Sequence, residues 1–113
     1  MSTPPQNAPQ KSRRSKLEEF VAAHPADAFA RYGLAIECAG QNDVPAAVEN
    51  FDKLLAASPD YVSGYFQYGQ FLARIARLSE ARDVFNKGIA AARRTGDQHA
   101  ESEIASALAS LPA

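Results

Sequence analysis

Residues 28–61, AFARYGLAIECAGQNDVPAAVENFDKLLAASPDY, and residues 62–95, VSGYFQYGQFLARIARLSEARDVFNKGIAAARRT, carry one pattern twice, 34 positions apart. The shift sets Leu34 on Tyr68, Ala35 on Gly69, Cys38 on Leu72, Val44 on Leu78, Ala47 on Ala81, Phe51 on Phe85, Lys53 on Lys87 and Leu55 on Ile89. Large residues recur where a helix pair must fill a shared core, and small ones where two helices approach closely. Carried backwards, the shift puts Pro59 on Pro25, Leu55 on Val21, Leu54 on Phe20 and Phe51 on Leu17. The folded part therefore opens on a half repeat.

The punctuation between these segments fixes the helices. Ser58-Pro59-Asp60 and His24-Pro25-Ala26-Asp27 end one helix and open the next, because proline suits a first helical turn and acids suit the positive helix start. Asn42 tolerates the left-handed backbone that ends a helix, and Asp43 caps the next one two residues ahead of Pro45. Ser79 is expected to cap in the second repeat, and Thr95-Gly96-Asp97 stops and restarts the chain. The spacing predicts helices at about 12–23, 27–41, 44–57, 61–76, 79–94 and 97–110. In the last of these, Ala100, Ile104, Ala107, Leu108 and Leu111 form one apolar stripe, while Gln98, Glu101, Ser102 and Ser106 make a polar outer face suited to closing an array.

Composition agrees with an all-α class, since alanine dominates and tryptophan is absent. Residues 1–10 hold three prolines among polar residues and are expected to be a disordered tail, with the fold spanning 11–111. The net charge of -1 is unevenly spread. Lys11, Arg13, Arg14 and Lys16 open the chain without an acid, residues 17–58 total -5, and residues 59–95 total +3. Such polarity steers partners or favours head-to-tail self-association, although a solvated surface is the commoner meaning. No apolar run approaches the roughly 20 residues of a membrane span, and the start lacks a signal-peptide core, so a cytoplasmic location is expected.

The 34-residue helix-turn-helix period with these small and large positions resembles the tetratricopeptide repeat. Tyr65, Tyr68, Gly69 and Leu72 stand at the family's aromatic, large, small and large positions on a first helix, and Ala81, Phe85, Gly88 and Ile89 match on the second. The first repeat is looser. Arg31 replaces an aromatic, Cys38 a larger residue and Asn42 a glycine, whereas Ala47, Phe51, Leu54, Leu55 and Pro59 fit; Arg93 stands where a proline would end the second repeat. The resemblance divides the domain into a half repeat at 11–25, repeats at 28–61 and 62–95, and a capping helix at 97–110. It implies antiparallel helix-turn-helix repeats forming a short right-handed superhelix, whose concave groove holds a peptide or helix of another protein.

The groove residues implied are Phe29, Tyr32 and Ile36 from the first repeat and Ser63, Phe66, Gln70, Ala73 and Arg74 from the second. Tyr32 and Phe66, one repeat apart, are expected to stack as neighbours, or else to pack on the terminal helix or the half repeat. Arg74 and Arg77 are placed to close one end of the groove on a carboxylate. The clamp by which one branch of the family grips a C-terminal carboxylate is missing, since Tyr32 and Ile36 occupy its places.

Chemistry is sparse. His24 and His99 have no Cys, Asp or Glu at zinc-ligand spacing, and Cys38 lies on an expected buried face without a base beside it. Neither a phosphate-binding glycine loop nor an HExxH helix is present. The sequence reads as a non-enzymatic adaptor that needs no cofactor and binds another protein. Self-association into a homo-oligomer is the second reading, and nucleic-acid binding through KSRRSK and the basic second repeat is a distant third.

Overall fold

Side-chain acceptors set most of the helix starts. Ser12 Oγ accepts from the Ser15 amide, Asp27 Oδ1 from Ala30 at 2.9 Å, Asp43 Oδ1 from Ala46 at 3.3 Å and Asp97 Oδ1 from Ala100 at 3.0 Å. Each such cap satisfies an otherwise orphaned amide and stabilises its helix by about 1 kcal/mol. In the computed structural model, which describes residues 11–113, six helices result: α1 (Arg13–Ala23), α2 (Ala28–Gly40), α3 (Val44–Ala57), α4 (Val62–Arg74), α5 (Leu78–Thr95) and α6 (Gln98–Ala109). No strand occurs among the described residues. The expected disordered tail at 1–10 lies outside them.

Two details of the punctuation differ from expectation. Ser79 does not cap α5; the helix begins at Leu78, and Arg77 fills the cap position without any side-chain bond. Repeat register decides this, because Arg77 stands 34 residues after the capping Asp43. Pro25 and Pro59 sit in the turns ahead of α2 and α4 rather than in their first helical turns.

Asn42 takes a left-handed backbone, φ 57°, and its counterpart 34 residues on, Ala76, does the same at φ 64°. Asparagine tolerates that conformation, whereas for alanine it costs about 1–2 kcal/mol. Ala76→Gly is therefore expected to stabilise the fold by about 0.5–1 kcal/mol, the gain being trimmed by glycine's freer unfolded chain. A urea midpoint that falls instead would show that the strain has been relieved elsewhere.

Packing runs between chain neighbours. The most extensive contacts pair α2 with α3, α4 with α5, and α5 with α6; among the described helices α1 packs against α2 alone, with Arg14 reaching the α3 cap Asp43. The core carries the repeated positions: Leu34, Ala35, Cys38, Ala47, Phe51, Tyr68, Leu72, Ala81 and Phe85 are all buried. Phe51 stacks on Tyr68 at 4.8 Å and 8° between planes, joining α3 to α4. The Tyr68 hydroxyl donates to Asp52 Oδ1 at 2.9 Å, so this buried phenol is satisfied, and burial followed by that bond holds its proton well above the ordinary phenol range. Tyr65 donates to the Pro59 carbonyl at 2.7 Å, pinning α4 to the turn before it. On α6, Ile104 is buried and Ala100, Ala107, Leu108 and Leu111 are half-buried, so the apolar stripe faces the array.

Candidate functional site

Helix order places α2, α4 and α6 in sequence along one side, since α2 contacts α4 and α4 contacts α6. Their solvent-facing surface holds three hollows in a row. The first, about 400 Å³, is lined by Phe29, Tyr32, Gly33 and Ile36 of α2 with Leu17 and Phe20 of α1, and has Arg13 and Asp27 on its border. The second, about 160 Å³, lies between Ile36 of α2 and Gln67, Gln70, Phe71 and Arg74 of α4. The third, about 600 Å³, runs from Gln70, Ala73 and Arg74 to Ala107, Ser110 and Leu111 at the α6 end. Ile36 belongs to both the first and second hollows, and Gln70 and Arg74 to both the second and third.

Six of the eight residues singled out from sequence thus line this row. Ser63 does not: it borders a separate hollow with Asp60, Tyr61, Thr95 and Asp97. Phe66 is half-buried and lines none of the three. Tyr32 takes Tyr61 as its ring neighbour, centroids 5.2 Å apart, rather than Phe66. Tyr61 immediately precedes α4, so the contact links the start of α4 to the middle of α2. Burial raises the Tyr32 phenol above its ordinary value, with Gln67 pulling the other way. Leu17, Phe20, Gly33, Gln67 and the α6 residues were not anticipated as groove residues. For Leu17 and Phe20 the signal was available in the backward shift, which makes α1 a second-type helix with no first-type helix before it.

Arg74 is already engaged. Its guanidinium donates to the Ala39 carbonyl at 2.7 Å and lies 5.2 Å from the Phe71 ring centroid, fastening the end of α4 to that of α2. Arg77 pairs weakly with Glu80 at 3.9 Å. The basic opening segment is likewise matched by acids: Lys11 with Glu19, Arg13 with Glu37, and Arg14 with Glu18 and with Asp43 at 2.8 Å. The Arg14 bond is the main cause of the lowered Asp43 pKa, with the cap amide of Ala46 second. In the basic second repeat, Arg94 meets Asp60 and Arg93 meets Glu101, both at 2.9 Å. These pairings break up the stripe of uncompensated cations that a phosphate backbone requires.

Cys38 is fully buried, and burial pushes its thiol up, the reverse of what a nucleophile needs. His24 lies against the Phe20 ring at 4.4 Å, and His99 is exposed beside Glu103. Among the described residues, no helix is long and apolar enough to cross a membrane.

A row of paired antiparallel helices with an open groove along one side is a helical-repeat scaffold. The chain belongs to the tetratricopeptide-repeat family, which comprises non-catalytic scaffolds that mediate protein–protein interaction. It is 36% identical to a tetratricopeptide repeat domain protein of Salinibacter ruber, over 74% of this chain and 85% of that one, with a TM-score of 0.69. A TPR repeat-containing protein of Pseudomonas aeruginosa is 28% identical over 88 residues, covering 78% of this chain and 84% of its own. A solved protein of Bordetella parapertussis shares the fold at 24% identity, TM-score 0.77, over 90% and 89% of the two chains. No protein-family model matches the chain.

Proposed function

We propose that this chain is a small adaptor whose groove along α2, α4 and α6 holds a peptide or helix of another protein. The division implied by the repeat supports this reading: a half repeat at 11–25, repeats at 28–61 and 62–95, and a closing helix at 97–110 within one domain. The single observation that carries it is the continuity of the three hollows through Ile36, Gln70 and Arg74. Aromatic and aliphatic side chains at the α1 end offer large contact area at low entropic cost, Gln67 and Gln70 offer hydrogen bonds in the middle, and Ala73, Leu78, Ala107 and Leu111 make the far end largely apolar again. An occupant with apolar anchors at both ends and polar groups between them suits that arrangement.

The test is capture of partners from a cell lysate on immobilised protein, with Tyr32→Ala/Ile36→Asp as the comparison variant and its helicity confirmed by circular dichroism. A specific partner is expected to bind the variant about tenfold more weakly or worse, as for loss of a hot-spot contact. Equal retention by both forms would remove the groove as the binding site.

A further inference from the structure

The α1 end of the array is an unfinished repeat. Leu17 and Phe20 of α1 correspond by the 34-residue shift to Phe51 and Leu54 of α3, which are 0% and 1% exposed. The α3 residues are covered because α3 packs against both α2 and α4, whereas among the described helices α1 packs against α2 alone. Phe20 is left 46% exposed, and Phe29 and Ile36 across the slot are 76% and 37% exposed. Three large apolar side chains around one hollow of about 400 Å³ form a patch of the kind that marks an association surface.

Residues 1–10 carry no large apolar residue besides Met1 with which to fill the slot. The far end of a second copy does not fit either, because α6 turns Ser102, Glu103, Ala105 and Ser106 outward without a large apolar residue. The slot does match itself. Arg13, at the start of α1, borders one end, and Asp27, at the start of the antiparallel α2, borders the other. The Arg13 side chain is 78% exposed, and its pair with Glu37 is long at 3.5 Å, leaving guanidinium donors free. Opposite charges at opposite ends of an apolar slot are what a two-fold axis through its centre, near Gly33, brings together.

We infer that two copies of this chain associate through the α1–α2 face, with Phe20 and Phe29 of each entering the other's slot and Arg13 of each facing Asp27 of its partner. This goes beyond the adaptor reading and is tested on the protein alone. It leaves the α4 and α6 part of the groove open, so a partner occupying the whole groove would compete with the second copy.

Sedimentation equilibrium at up to roughly 1 mM, where even a millimolar contact is populated, is expected to give a mass rising toward twice the 12.1 kDa of the chain. Phe20→Asp/Phe29→Asp, of confirmed helicity, is expected to weaken association at least tenfold. The geometry makes a sharper demand on the charges. Arg13→Glu and Asp27→Lys should each associate poorly alone, since each juxtaposes like charges twice, and should form a mixed dimer when combined, which restores both pairs. Asp27→Lys also loses the α2 cap, so its helicity is checked separately. A wild-type mass that stays at 12.1 kDa overturns the inference. Association unaffected by Phe20→Asp/Phe29→Asp, or a mixture no tighter than its components, does the same.

Discussion

Phe51→Ala is expected to lower stability by about 3–5 kcal/mol, the usual cost of emptying a fully buried aromatic site. Phe51 is 0% exposed, stacks on Tyr68 at 4.8 Å and meets the Phe71 ring at 6.5 Å, so its loss empties the junction of α3 and α4. A domain of this length holds about 5–15 kcal/mol in total. The variant should therefore melt roughly 20 °C lower, or fail to fold at physiological temperature. Phe29→Ala provides the contrast, because Phe29 is 76% exposed and its removal should change stability by no more than about 0.5 kcal/mol. Paired urea titrations decide the matter. Similar losses at both positions would mean that Phe29 is covered in solution.

Gly69→Ala is expected to destabilise and Gly40→Ala to stabilise, although both glycines lie in helices. A Cβ on Gly69 would stand 2.3 Å from Phe85 Cε1 and 2.5 Å from Cδ1, and Phe85, at 1% exposure, has nowhere to swing. Overpacking of that kind costs about 1–3 kcal/mol or more, which outweighs the roughly 1 kcal/mol that alanine gains in helix propensity. At Gly40 nothing lies within 4 Å, so only the gain remains, about 0.4–1 kcal/mol. Opposite shifts in the urea midpoint would confirm that close approach of α4 and α5, rather than backbone freedom, requires Gly69. Stabilisation by both would refute it.

Most of the fold was legible because it is written twice. Core positions such as Leu34 and Tyr68, or Phe51 and Phe85, could be paired by a fixed shift, and all four are buried. The αL position at Asn42 was legible but its counterpart was not: the expected helix 61–76 took in Ala76, because an alanine gives no such sign by itself. Ser79 shows where local preference misleads: serine is a good cap, but the repeat had already assigned that place to Arg77, whose side chain makes no cap bond. The groove was less legible than the core. Its residues follow from which faces adjoin, and that depends on the tilt between successive helix pairs, a quantity absent from a linear period. Hence Ile36, Gln70 and Arg74 line one hollow, while Ser63 lies beside Thr95 and Asp97, and Tyr32 meets Tyr61. Charge partners 34 or more residues distant, such as Arg94 with Asp60, were invisible for the same reason.

Among the described helices α1 packs against α2 alone, so its detachment would break the Arg14 bond to the α3 cap Asp43 but leave the contacts among the other five helices in place. Opening at that end is thus a small event, separable from collapse of the whole chain. Amide protons of α1 should exchange with solvent deuterium well before those of α4, which is gripped by α2, α3, α5 and α6. The molecule accordingly has a graded lifetime along its length, brief at one end and long in the middle, so anything that captures the α1 end also sets how long the helix there persists.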